Sequence, residues 1–138
     1  MLKKTFIVMI VIVLCFTLAV TNPLKGCNCL KQTQHTVSLE VDLPGGKKIQ
    51  IESIPWIQNE TVSLAMGNAK CFRPDFTYET TYYCPYGRLI TNIMGMVPTQ
   101  KKQSWVLYIN GKLSEFGMDT TILKPKDKIH WVIEDAPH

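Results

Sequence analysis

The chain has 138 residues, of which 46% are hydrophobic and 19% charged, and this balance predicts one globular domain with a modest core. Its formal net charge is +4, but the lysines are scattered among turn signals. A nucleic-acid partner is therefore not expected, because nucleic-acid binding needs basic residues clustered on one face.

Residues 1–21 are predicted to be a secretory signal peptide. Two lysines precede an apolar run from Phe6 to Val20, which matches the charged and hydrophobic regions of such a signal. The run is shorter than the about 20 apolar residues that a spanning helix needs. We therefore expect cleavage between positions 19 and 26, no stable membrane insertion afterwards, and a secreted, extracellular protein. Lipid attachment at Cys27 is a second interpretation.

The mature chain keeps four cysteines, Cys27, Cys29, Cys71 and Cys84. An even number of cysteines in an exported chain predicts disulfide bonds. Cys27 and Cys29 are too close in sequence to pair easily, so we expect either a Cys71–Cys84 bond or two bonds that join the C-x-C pair to those positions. A metal site built on the C-x-C pair and His35 is the competing interpretation. It lacks the usual second pair of ligands, so no metal site is predicted.

The first elements after the lead segment are predicted to form a hairpin. Val37, Leu39 and Val41 alternate with polar residues in TVSLEVD, and KIQIES alternates again after the turn signal LPGGKK. Glycine can adopt the positive φ angles that such a tight turn requires.

A short helix is predicted from Trp56 to about Ala69. Asn59 or Thr61 can cap its beginning, and Gly67-Asn68 is a plausible end. Asn59 also begins the sequence Asn-Glu-Thr, an acceptor for N-linked glycosylation in an exported protein.

Strands are predicted for the rest of the chain, in FTYETTYY, RLITNIMG, SWVLYING and KIHWVIE. Asn110-Gly111 suits a two-residue type I′ turn. A hairpin, one helix and several strands without a βαβ rhythm predict an α+β fold, with one short helix against a mixed, mostly antiparallel sheet. A β-grasp-like arrangement fits this order of elements best.

An enzyme is not predicted. The chain contains no G-x-S-x-G, no H-E-x-x-H and no phosphate-binding loop. Its three histidines have no evident catalytic partner, and an even number of cysteines argues against a free nucleophilic thiol.

Ordered motifs in the C-terminal half resemble a known family. FTYET, YGRLITNIMG, SW and FGMDTTILKPKDKIHW are similar to the C-terminal β domain of the transcobalamin and intrinsic factor family, a domain of the DUF4430 type. The chain is therefore predicted to have three regions: the signal peptide 1–21, a Cys-containing lead segment 22–35 and, by the resemblance, a transcobalamin-like β domain 36–135. In the cobalamin carriers this domain covers one side of the corrinoid, and a helical barrel covers the other.

By this resemblance, a ligand would contact Trp105, Leu107, Gly117 and Met118, with the stretch 93–95 close by. Core packing is the alternative role of the tryptophans, because aromatic side chains supply much of a core's buried area. His130 is expected on an exposed face, and axial ligation of a corrinoid cobalt is its less favoured role.

Two functions follow as hypotheses. The first is a secreted, non-enzymatic, cobalamin-carrier-like protein that binds cobalamin or a related ligand weakly, or together with a partner. The second is a secreted protein-interaction module that has kept the fold and lost the ligand. A concave surface beside Trp105 would favour the first hypothesis, and a filled surface would favour the second.

Overall fold

The structure is a computed structural model that describes residues 35–135. The predicted signal peptide, Cys27 and Cys29 therefore lie outside the described residues. The described range contains seven strands and one helix. In chain order they are β1 (Thr36–Leu43), β2 (Lys47–Pro55), α1 (Val62–Phe72), β3 (Tyr78–Tyr83), β4 (Gly87–Ile93), β5 (Gln103–Ile109), β6 (Lys112–Leu113) and β7 (Lys128–Asp135).

Five strands form one mixed sheet in the order β2-β1-β7-β5-β6. β1 pairs with β7 in parallel, and the other pairs are antiparallel. The hairpin of β1 and β2 confirms the alternation in the sequence, since Val37, Leu39 and Val41 are all buried. Asn110 and Gly111 have φ angles of 53° and 77° and join β5 to β6, as a type I′ turn requires.

The helix packs over one face of this sheet and closes the core. Val62, Ala65, Met66 and Ala69 are fully buried, and their spacing of three and four residues places them on one side of α1. They belong to the same apolar cluster as Leu39 and the other inward residues of the sheet. The architecture is therefore α+β, with one short helix against a mixed sheet.

The structure confirms one predicted cap of the helix and corrects its end. Thr61, one of the two expected capping residues, is the N-cap and accepts a hydrogen bond from the backbone N–H of Leu64 at 3.3 Å, so the helix begins at Val62 and not at Trp56. The expected end at Gly67-Asn68 is wrong, because α1 continues through both residues to Phe72. Tertiary burial of Met66 and Ala69 outweighs the modest cost of one glycine inside a helix.

The β3–β4 hairpin is a separate two-stranded sheet. It is attached to the body by apolar residues at its base, where Phe76 and Ile93 are 1% and 0% exposed. Its tip is open to solvent, since Tyr82, Tyr83 and Tyr86 are all more than half exposed. The hairpin consequently stands beside β5 and forms one wall of a groove.

Candidate functional site

The floor of this groove comes from the two central strands of the main sheet. Trp105 and Leu107 lie on the core side of β5, and Leu107 stands opposite Trp131 of β7. All three are 4–6% exposed, so they are core residues as well as groove residues. The indole N–H of Trp105 donates a hydrogen bond to the carbonyl of Met96 at 3.3 Å, and this bond fixes the orientation of the ring.

The groove itself lies between β4, β5, β6 and the loop that follows β6, and its volume is about 220 Å³. All four residues expected to contact a ligand, Trp105, Leu107, Gly117 and Met118, line it. We name it the Trp105 groove. The expected neighbours at 93–95 do not line it, although Met96, the hydrogen-bond partner of Trp105, follows them directly.

The rim of the Trp105 groove is apolar and open to solvent. Leu89, Leu113 and Phe116 line the groove and are 43%, 45% and 65% exposed. Exposed apolar side chains around a concave aromatic floor are typical of a binding surface. The indole N–H of Trp131 is buried and has no hydrogen-bond partner among the described residues.

Hydrogen bonds hold the loop that contributes Gly117 and Met118. The Thr121 hydroxyl donates to the carbonyl of Gly117 at 2.9 Å, and the backbone N–H of Ser63 donates to the carbonyl of Met118, also at 2.9 Å. The loop is therefore anchored to the beginning of α1. Gly117 has a steric role as well, because a Cβ at this position would lie 3.2 Å from the carbonyl oxygen of Tyr86.

An ion pair joins the two walls of the groove. The Arg88 guanidinium of β4 lies 2.7 Å from an Asp119 carboxylate oxygen, and the backbone N–H of Arg88 donates to the same carboxylate at 2.8 Å. The hydrogen bond that Arg88 donates to Asp119 lowers the pKa of the Asp119 carboxyl group and raises the pKa of the Arg88 guanidinium, so both groups stay charged. Neither residue was among the expected site residues.

A second hollow, of about 330 Å³, is larger but less suited to a ligand. It lies between β1, β7 and the segment 97–103, and none of the four expected residues lines it. It lacks an aromatic floor, since its lining contains no tryptophan, tyrosine or phenylalanine. The Trp105 groove is therefore the better candidate site.

Glu40, Asp42 and His130 form a cluster on the opposite face of the sheet, with ligand atoms within 4.8 Å of one another. Lys48 and Lys128 already bind Glu40, and Lys48 also lies 3.1 Å from Asp42. Two ammonium groups balance the two carboxylates, so this cluster offers little attraction to a metal ion. His130 lies beside Asp42 at 3.1 Å and does not line the Trp105 groove, so the groove gives no support to its axial-ligand role.

The remaining predicted residues are only partly described. Cys71 is half-buried at the end of α1, and Cys84 is exposed in the β3–β4 turn. The structure contains no bond between these two, and pairing with Cys27 or Cys29 falls outside the described residues. Asn59 is exposed in a turn with a φ angle of 62°, where a glycan could be attached. Among the described residues, no helix is long and apolar enough to cross a membrane.

Comparison with solved structures shows which proteins share the fold of this domain. It is similar to haptocorrin in complex with Cbi, with a TM-score of 0.65 and 13% identity over 77% of this chain and 26% of the haptocorrin chain. A candidate metal-binding protein from Ruminococcus gnavus is also similar, with a TM-score of 0.54 and 14% identity over 75% of this chain and all of the other. At such identities the likeness shows the shared fold.

The described domain therefore has a transcobalamin-like fold, which confirms the resemblance in its motifs at the level of the fold. Residues 74–135 match the family model described as "Domain of unknown function (DUF4430)". This match begins just before β3 and includes every residue named as lining the Trp105 groove. The chain spans about a quarter of the haptocorrin to which it is similar. No curated protein sequence matches it.

Proposed function

We propose that this protein is a secreted, non-enzymatic binding protein that holds a corrinoid, or a ligand of related shape, against the Trp105 groove. The observation that carries this proposal is that the four residues expected from the carriers, Trp105, Leu107, Gly117 and Met118, surround one groove. The likeness to haptocorrin, a protein crystallised with the cobalamin analogue Cbi, supports the choice of ligand.

The signal peptide at residues 1–21 carries the protein to the extracellular space in this proposal. The domain is also proposed to be of the β-grasp type. Two features support that type: α1 follows the first hairpin, and the first and last strands pair in parallel at the centre of the sheet.

The size of the groove limits how the ligand is held. Small-molecule sites that bind tightly enclose ~70–90% of the ligand surface in pockets of ~300–1,000 Å³. The Trp105 groove has about 220 Å³ and is open, so it can cover only one edge of a corrin ring. We therefore expect weak binding by this domain alone, and tighter binding when a partner covers the other side of the ligand.

The test is a titration of the purified, oxidised protein with dicyanocobinamide and with aquocobalamin, followed by corrin absorbance and tryptophan fluorescence. Trp105→Ala is a poor first variant because Trp105 is 6% exposed and also supports the core. Leu113→Ser, on the groove rim, has a matched control in Leu64→Ser on α1, since these leucines are 45% and 44% exposed.

We expect saturable binding that Leu113→Ser weakens about 5–20-fold and Leu64→Ser leaves unchanged, because only Leu113 would bury apolar area against the ligand. Phe116→Ser should weaken binding at least as much. Absence of a spectral change at high micromolar ligand, or equal effects of Leu113→Ser and Leu64→Ser, would refute corrinoid binding at this groove.

A protein-interaction module is the second candidate function, and the exposed tyrosines of the β3–β4 hairpin favour it. Tyr82, Tyr83 and Tyr86 are 68%, 52% and 75% exposed, and tyrosine is enriched in protein interfaces. A protein partner whose binding is lost in Tyr82→Ser and Tyr86→Ser, combined with no corrinoid binding, would support this function instead.

A further inference from the structure

We propose that the Arg88–Asp119 ion pair is the specificity determinant of the Trp105 groove and makes it select uncharged, apolar parts of a ligand over anionic ones. This inference rests on the groove being the ligand site. It does not depend on the ligand being a corrinoid, so the two proposals can fail separately.

The first argument is the charge of the lining. Arg88 is the single charged side chain among the described residues that line the groove. Trp105, Leu107 and Met118 contribute apolar surface, and Ser104 and Ser114 contribute neutral hydroxyl groups. An uncompensated arginine beside such a surface would attract sulfate, phosphate or carboxylate groups.

Asp119 removes that attraction. Its two carboxylate oxygens accept from Arg88 Nε at 3.0 and 3.2 Å, in addition to the contacts with the terminal guanidinium nitrogen and the backbone N–H. The Asp119 side chain is 23% exposed, so water screens the pair only partly. The Nε and Nη2 edge of the half-exposed guanidinium is thereby occupied by one carboxylate that balances its charge, which makes the group a weaker binder of a ligand anion.

The second argument is the position of the pair. Arg88 belongs to the β3–β4 hairpin and Asp119 to the loop after β6, so the ion pair sets the distance between the two walls of the groove. The two walls also approach each other closely at the same point. A Cβ at Gly87 would lie 3.1 Å from an Asp119 carboxylate oxygen, and one at Gly117 would lie 3.2 Å from the carbonyl of Tyr86. Asp119 is thus a positioning residue as well as a neutralising one.

The experiment uses two fluorescent probes that differ by one charged group. N-phenyl-1-naphthylamine is neutral, and 8-anilino-1-naphthalenesulfonate has the same aromatic framework with an added sulfonate. Both are titrated into the oxidised full-length protein and its variants, and their dissociation constants are compared. Phe116→Ser must weaken both probes, which establishes that they occupy the Trp105 groove.

We expect the wild-type protein to bind the neutral probe more tightly than the sulfonate. Asp119→Asn leaves the Arg88 charge unbalanced, so it should tighten sulfonate binding about tenfold and change binding of the neutral probe by less than about threefold. Asp75→Asn is the matched control, because it breaks the Arg73–Asp75 pair, whose contact is 3.2 Å, outside the groove lining. It should leave both probes unaffected.

Arg88→Gln provides a second variant if Asp119→Asn fails to fold. It leaves an unbalanced carboxylate, so the sulfonate should bind still more weakly while the neutral probe is retained. The inference is overturned if the wild-type protein does not prefer the neutral probe, if Asp119→Asn changes both probes by the same factor, or if neither probe responds to Phe116→Ser. Probe selectivity without corrinoid binding would uphold this inference and reject the corrinoid.

Discussion

Two buried carboxylates show how strongly the surroundings of a single residue decide its chemistry. Glu40 is 7% exposed, and its bond with Lys128, helped by Gln50 and Lys48, lowers its pKa from 4.5 to about 2 despite the opposing effect of burial. Glu60 is fully buried, and burial raises its pKa, outweighing the hydrogen bonds from the Ile57 backbone and from Asn68, at 3.1 Å, which lower it. Ionised Glu40 therefore stabilises the fold, whereas ionised Glu60 opposes it.

We predict that Glu40→Gln lowers the free energy of unfolding by about 1–2 kcal/mol at pH 7, a modest value because Lys48 and Lys128 are about half exposed. The folded-state pKa lies below the unfolded value, so the stabilisation is present above pH 4.5 and is lost as pH falls toward about 2. Urea unfolding at several pH values measures this. Glu52→Gln, at an exposed position on β2, is the control. A loss that stays constant between pH 7 and pH 2.5 would contradict the prediction.

At the scale of the elements, α1 depends on one capping side chain. Thr61 has an extended backbone and accepts from the backbone N–H of Leu64, while its own backbone bridges to Ile122. The first turn of α1 contains no acidic residue, so the cap receives no help from a carboxylate near the positive end of the helix.

Thr61→Ala should therefore lower the free energy of unfolding by about 1 kcal/mol, because it leaves a helix N–H without its acceptor. Thr61→Ser keeps the hydroxyl and should cost much less. Both variants are compared by chemical denaturation, with protein from a host that does not glycosylate, because Thr61 also completes the Asn59 acceptor sequence. Equal stability of the alanine and serine variants would show that the cap contributes nothing.

The elements also show which features the sequence could predict. Alternation predicted β1 and β2 because a half-buried strand repeats its environment every two residues. The predicted end of α1 was wrong because Gly67 and Asn68 are stop signals that can be read locally. The helix continues because Met66 and Ala69 are buried against the sheet, and this tertiary contact is not visible in the local sequence. The groove residues followed from resemblance. The Arg88–Asp119 pair could not be predicted, because the two residues are 31 positions apart and no periodic pattern in the sequence links one to the other.

The whole molecule is proposed to be exported and glycosylated, and one preparation tests both. Protein secreted from eukaryotic cells should begin between positions 20 and 27, and enzymatic removal of N-glycans should reduce its mass, because Asn59 is exposed. The intact mass before and after glycan removal reports glycosylation, and N-terminal sequencing reports the cleavage site. Asn59→Gln should abolish the glycan shift and leave the N-terminus unchanged. An unprocessed Met1, or a glycan shift that persists in Asn59→Gln, would be the contrary result.

The position of β7 has a consequence for how such a chain is made. β7 is the last described strand, yet it lies in the middle of the sheet and joins the β1–β2 hairpin to β5 and β6. Until β7 is present, the two halves of the sheet have no common strand, and the inward residues of β1 lack their parallel neighbour. A growing chain cannot complete its core early, because contacts between distant parts of the sequence must wait for both ends. Under the proposed export, the chain would therefore cross the membrane unfolded and complete its core only after β7 has followed.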